Sequence, residues 1–241
     1  MVDAILGRLD ILSLFLAIMV ACGIYSAVDG LSRLGVLSGE NGRKAIHVTI
    51  GVFAASFPVF MSRTNILVFH GMFFVGLVVL SLASDFVRMH KGATKIRAAK
   101  MVADTLARYE DVNRWTIGQF LYPLSLVFVV LLYDDMLIYS FAVLMMALAD
   151  GFAAVIGKTY GKIIFYVPGG QKSLVGSLAF FSISFTLFSI YLVIETDVGL
   201  IGILPALIYA LTLTAVEAGI AGGFDNIAIP LLTAVLLNTL Q

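Results

Sequence analysis

The chain has 241 residues with a formal net charge of +0; 61% of them are hydrophobic and only 12% charged, and the mean hydropathy is +1.04. Soluble domains are about half apolar and about a quarter charged, so this balance excludes an ordinary soluble fold and makes the bilayer the expected solvent. It also offers no basic surface for nucleic acid, and with Cys22 as the single cysteine it excludes an intrachain disulfide or a thiolate metal cluster.

A cleaved leader is not expected, because Arg8 lies between Asp3 and Asp10 rather than in a basic n-region. Met19-Val20-Ala21-Cys22 faintly resembles a lipoprotein cleavage site, but the apolar run continues past it. Spanning the hydrocarbon core takes about 20 apolar residues. Runs of that kind are read near 10–31, 45–61, 65–87, 116–133, 136–157, 173–194 and 199–217. A shorter run, 226–240, is an eighth span or a half-embedded helix. The expected fold is thus an all-α polytopic bundle of seven or eight spans in one integral membrane domain, without internal repeats.

The basic residues set the expected topology. With the long polar loop 88–115 in the cytosol, alternation puts 32–44 and 158–172 there too, and 13 of the 15 basic residues fall on that side. Arg8 and Arg63 are left outside, with Asp134-Asp135, Glu195 and Asp197. The N-terminus is then outside. Within the loop, Ala99, Val102, Leu106 and Tyr109 recur at helical spacing among Arg97, Lys100, Asp104 and Arg108. This predicts an amphipathic interfacial helix over 96–112, a surface brace or a lid over a headgroup site.

Ionisable residues at span ends mark a site by default, and four groups gather on the cytosolic side. Asp150 lies seven residues before Gly157, roughly 10 Å deeper along its helix; a carboxylate there needs a metal ion or a cation, and the plain alternative is a lysine pair serving helix packing. Next come Gly157-Lys158-Thr159-Tyr160-Gly161-Lys162, Pro168-Gly169-Gly170-Gln171-Lys172-Ser173 and Gly176-Ser177. Glycines and a helix N-terminus suit phosphate, lysine neutralises its charge, and Ser173 caps the helix or touches phosphate or metal. The spacing is not that of a Walker A loop. Glu217, Gly219, Gly222, Gly223 and Asp225-Asn226 follow; two carboxylates and an amide suit a hard cation such as Mg²⁺, and helix capping is the ordinary alternative. Lastly, Arg43 and Lys44 stand one turn before His47, a plausible phosphate contact in their company.

In order, Arg43-Lys44-x-x-His47-x-x-x-Gly51, Asp150-Gly151-x-Ala153-Ala154-x-x-Gly157-x-x-x-Gly161, Lys172-Ser173-x-x-Gly176-Ser177, Glu217 and Asp225-Asn226-x-x-x-Pro230 resemble the CTP-dependent polyprenol kinase family. That family includes dolichol kinases, phytol kinases and a CTP-using diacylglycerol kinase; the compact size is most similar to the phytol kinase branch. Two positions depart from its pattern: Ala149 stands where Gly is usual, and Phe224 where a second acidic residue is usual. The resemblance implies transfer of the γ-phosphoryl of CTP, with Mg²⁺, to a membrane-dissolved alcohol, either an isoprenoid alcohol or diacylglycerol. It implies catalytic roles for Asp150, Lys172, Glu217 and Asp225, with Asp150, Glu217 and Asp225 toward the metal. Phosphate and nucleotide contacts fall to Arg43, Lys44, His47, Lys158, Gly161, Lys172, Ser173, Gly176, Ser177 and Asn226. Two other readings stay open. A CTP:phosphatidate cytidylyltransferase expects a charged C-terminal signature, where this chain has apolar Ile229–Leu240; a transporter expects midplane charges or paired broken helices.

Overall fold

The structure, a computed structural model, describes residues 2–34, 39–89, 118–195 and 203–240. The interfacial helix expected over 96–112 lies outside the described residues, as does the side chain of Arg43.

Helix α1 (Val2–Arg33) is followed by α2 (Gly39–Ala55), a short 3₁₀ turn (Phe57–Val59) and α3 (Arg63–Met89). After the undescribed loop come α4 (Gly118–Leu132), α5 (Met136–Leu144), a π-helical segment (Met145–Asp150) and α6 (Gly151–Tyr160). A hairpin, β1 (Ile164–Val167) and β2 (Gly170–Ser173), leads into α7 (Leu174–Glu195), α8 (Ile203–Gly219) and α9 (Asp225–Asn238). Among the described residues, three helical stretches are long and apolar enough to cross a membrane, Asp10–Val28, Met136–Tyr160 and Leu174–Glu195. Shorter apolar stretches of 10–17 residues accompany them, so the architecture fits an all-α membrane protein. The hairpin is an addition to the expected fold: the segment read as a plain cytosolic loop carries two paired strands.

The stretch from Met136 to Tyr160 is the central one: 56% of its most apolar window is buried inside the protein, against 11% for the N-terminal helix. Its apolar side chains face neighbours rather than lipid, and Ile138, Tyr139, Met145 and Met146 are fully buried with Val129, Phe180, Phe188, Leu213 and Ile229. It is not a continuous α-helix, because the six residues Met145–Asp150 open into a π turn. Such turns are rare and concentrate at functional sites.

Two polar clusters mark opposite ends of the bundle. At one end Arg63 donates to the carbonyls of Val130 (Nε, 2.9 Å) and Leu131 (Nη2, 3.2 Å), capping α4, and pairs with Asp134. Fifteen residues of α4, roughly 22 Å of helix at the standard rise, separate that cluster from Gly118, whose carbonyl accepts the Asn226 amide at 2.7 Å. Between the ends, His70 and Tyr139 share a buried hydrogen bond of 2.7 Å, and the Tyr139 hydroxyl donates to Ala54 at 3.2 Å. His70, which had no evident company in the sequence, is satisfied within the core.

Helices α6 and α7 cross at small residues. A Cβ on Gly176 would sit 3.0 Å from the Ala153 carbonyl oxygen and 3.2 Å from the Gly157 Cα. The neighbours are backbone and cannot step aside. Overpacking of this kind costs typically 1–3 kcal/mol. Gly176→Val is therefore expected to lower the thermal midpoint of the purified protein by several degrees. Gly71→Ala, where an added Cβ meets nothing within 4 Å, leaves it unchanged or slightly higher; differential scanning fluorimetry in detergent compares the two.

Candidate functional site

The end of the bundle carrying Gly118 and Asn226 also gathers the four groups of residues singled out in the sequence. The hairpin explains how. Pro168 and Gly169 form its two-residue turn, and Gly169 has φ +90, the geometry of a type II turn with proline first and glycine second. The turn docks on the loop between α8 and α9: the Ala221 amide donates to the Pro168 carbonyl at 3.1 Å. A Cβ on Gly169 would meet the Ala221 carbonyl oxygen at 2.7 Å, so only glycine allows this approach. In the strand pairing, Phe165 stands opposite Lys172.

That docking delivers Lys172 between the two acidic residues flanking the same loop. Its Nζ lies 2.5 Å from Glu217 Oε1 and 3.2 Å from Asp225 Oδ2. The Glu217 side chain is only 4% exposed, and its second oxygen, Oε2, is buried without a hydrogen-bond partner among the described residues. Burial disfavours the Lys172 charge, but Glu217, Asp225 and, more weakly, Asp150 outweigh it and hold the ammonium above its ordinary 10.5. Because the folded value is raised, Lys172 contributes its full stabilisation below about 10.5 and loses it only as pH rises past the folded value. Lys172 therefore stays charged as pH rises to about 9.

A second pairing sits alongside. Lys44 Nζ on α2 lies 2.9 Å from Asp150 Oδ2 at the end of the π segment. His47 Nε2 stands 4.0 Å from the same oxygen and donates to the Met146 carbonyl at 3.2 Å, inside the π turn. The widened turn thus gives His47 its anchor and sets Asp150 at its edge. Asp150 is a buried carboxylate paired with a lysine, as its plainest reading expects, but the partner comes from another helix and the pair lies within electrostatic reach of Lys172.

The remaining residues divide. Ser173 Oγ donates to the Gly157 carbonyl (3.3 Å) and accepts from the Gly176 amide (3.2 Å). It is the cap of α7, set in the small-residue crossing that Gly161 and Gly176 also line. Asn226 ties the start of α9 to Gly118. Ser177 is buried with its hydroxyl unpartnered among the described residues, and Lys158 lies exposed in the last turn of α6. Arg43 belongs to α2, one residue before Lys44. The sequence reading missed Tyr122, whose ring packs on His47 with centroids 5.0 Å apart. A tyrosine in an apolar run before Pro123 reads as an ordinary core aromatic, and no local pattern marks it.

Among the described residues no three acidic or imidazole side chains stand close enough to hold a metal ion by themselves, because lysines separate the carboxylates. Mg²⁺ is commonly held by one or two carboxylates with substrate phosphates and water completing its shell. The unpartnered Oε2 of Glu217 and the neighbouring Asp225 offer a hard-oxygen pair of that kind.

Comparison with known proteins gives related sequences but no fold match. The chain is 28% identical to a probable chloroplastic phytol kinase of Triticum aestivum, over 91% of this chain and 74% of that protein. It is 26% identical to a phytol kinase of Synechocystis sp., over 93% and 91%, and 27% identical to a probable chloroplastic phytol kinase of Oryza sativa subsp. japonica, over 90% and 70%. The similarity supports the phytol kinase type of the polyprenol kinase family, the branch the motifs resemble. No protein-family model and no solved structure matches the chain.

Breaking a buried pair from one side leaves an uncompensated charge and costs about 3–5 kcal/mol. Lys172→Met is therefore expected to destabilise the protein by that order, and Lys172→Met with Glu217→Gln to recover much of the loss. Thermal unfolding of both variants measures the difference; equal losses would mean the two groups are not energetically coupled.

Proposed function

We propose that the protein is a lipid-alcohol kinase that transfers the γ-phosphoryl group of CTP to an isoprenoid alcohol, phytol first among the candidates, at the cytosolic face of the membrane. The observation that carries this reading is the convergence of two lysine–carboxylate pairings, Lys44–Asp150 and Lys172–Glu217/Asp225, at one end of an apolar bundle. The similarity to phytol kinases over about nine-tenths of the chain supports it.

Phosphoryl transfer is catalysed mainly by positioning and by neutralising charge. Lys44 and Lys172, with Arg43 and Lys158 as further candidates, supply cations for the phosphates. Glu217 and Asp225 would hold Mg²⁺, which when bound neutralises phosphate charge further; Asp150 serves as the base for the alcohol instead of as a third metal ligand. The alcohol oxygen attacks the γ-phosphorus, the bond to the β-phosphate oxygen breaks and CDP leaves. The alcohol proton passes to Asp150, whose Oδ2 is held by Lys44. His47, anchored on Met146, keeps the cationic wall beside that carboxylate. Nucleotide binding draws Lys172 from its carboxylates toward phosphate, so the paired lysines act as stand-ins for the charges of the bound complex. The hydrocarbon tail would lie in the bilayer.

The orientation follows from the basic residues: the site end faces the cytosol and the Arg63–Asp134 end the opposite side. Purified protein with Mg²⁺ and CTP labelled at the γ- or the α-phosphate tests the reaction against phytol, geranylgeraniol, polyprenol, diacylglycerol and phosphatidate. Label is expected to move from the γ position into an isoprenoid alcohol. Entry of α-label into phosphatidate would instead make it a cytidylyltransferase, and label in no lipid would sink the kinase reading. Asp150→Asn is expected to lower turnover at least a hundredfold while the protein still purifies as a folded species; unchanged activity removes Asp150 from the chemistry.

A further inference from the structure

Tyr122 belongs to none of the four groups read from the sequence, yet its side chain enters the site from α4. Its ring rests against His47. Its hydroxyl points toward the contact of α2 with the π segment: a Cβ on Gly51, one turn after His47, would sit 3.4 Å from Tyr122 Oη and 2.5 Å from the Ala147 Cβ. Glycine at position 51 lets α2 approach Ala147, and the hydroxyl lies next to that approach. The carboxylate of Asp150 acts on the same hydroxyl electrostatically. Pro123 fixes the backbone beside it, and the Ser125 hydroxyl donates to the Tyr122 carbonyl at 2.6 Å.

The hydroxyl itself is buried and has no hydrogen-bond partner among the described residues. A buried polar group left unsatisfied is costly, and this one belongs to the ring that packs on His47, whose Nε2 lies 4.0 Å from Asp150 Oδ2. We infer that the Tyr122 hydroxyl binds the acceptor hydroxyl of the lipid alcohol directly. This rests on the kinase reading and adds the group that orients its acceptor. The alcohol oxygen has one proton and two lone pairs: the proton goes to Asp150, one lone pair attacks phosphorus, and the second accepts the hydrogen bond that Tyr122 donates. All three directions around the oxygen are then fixed, which is what positioning requires. No bond to Tyr122 forms or breaks.

Tyr122→Phe keeps the ring against His47 and removes only the hydroxyl. In purified full-length protein in detergent, thermal unfolding is followed with and without phytol, and γ-label transfer from CTP against both substrate concentrations. Without phytol the variant is expected to unfold at the same temperature as the wild type or higher, since it loses an unsatisfied group rather than a bond. The rise in midpoint that phytol gives the wild type shrinks, and kcat/KM for phytol falls roughly tenfold, the loss of about one hydrogen bond, while KM for CTP is unmoved. A lower midpoint without phytol would show that the hydroxyl serves the fold and overturn the assignment. So would phytol kinetics equal to wild type. A wild type that neither responds to phytol nor transfers label to any alcohol overturns the kinase reading itself, a failure distinct from an active wild type with an unaltered variant.

Discussion

Asp150, Glu217 and Asp225 are met inside a chain this apolar by Lys44 and Lys172, which reach them from other parts of the fold. The cost of taking a lone carboxylate out of water is large, so these pairings constrain where α2, the central helix, the hairpin and the α8–α9 loop stand relative to one another. Lys172 is the tightest constraint. It serves two carboxylates that lie on either side of one loop, and it does so from a strand whose turn is hydrogen-bonded to that loop. The hairpin is short and largely exposed, with Tyr166 and Gln171 outward, and it has little core of its own. Its place is set by Gly169 against Ala221 and by the charges at its end.

The same economy appears at the π segment. A regular helix from Met136 to Tyr160 would bond each carbonyl within itself. The widened turn presents the Met146 carbonyl to His47 and ends at Asp150, so an irregularity in the most buried element carries the polar contacts of the site. It lies within protein on all sides, which is where irregular backbone is tolerated at membrane depth. The helix crossing next to it uses the opposite device. Gly157, Gly161 and Gly176 remove side chains so that Ser173 satisfies both a carbonyl of α6 and the first turn of α7. Residues that suggest a phosphate loop by their glycine content thus also meet the packing needs of two helices.

Lysines lying against carboxylates give the ligand-free site a charge balance of its own. Two lysines against three carboxylates leave the cluster within one charge of balance. Such balance suits a site at the edge of a bilayer, where unpaired charge is hard to hold. The Arg63 cluster at the other end works differently: it caps helix carbonyls and meets an exposed Asp134, a structural end rather than a reactive one.

Much of this was legible in the amino-acid order. The apolar runs marked the helices, because hydropathy over about 20 residues is a local property, and the sparse charges marked Asp150, Lys172, Glu217 and Asp225 as worth explaining. The start of α7 just after Ser173 and of α9 at Asp225 also followed from local signals. What local signals could not reach was which charge meets which. Lys44 and Asp150 are 106 residues apart, and Lys172 and Asp225 are 53 apart; only the packing of helices brings them within hydrogen-bond distance. The π turn was equally hidden, because its six residues are ordinary apolar helix formers apart from Asp150. The strand pairing was hidden because Ile164–Val167 is too short to announce a period. Tyr122 is the clearest case: one aromatic among many in an apolar run, it acquires a position against His47 solely because α4 packs against α3, α9 and the central helix, and that packing is a property of the whole fold.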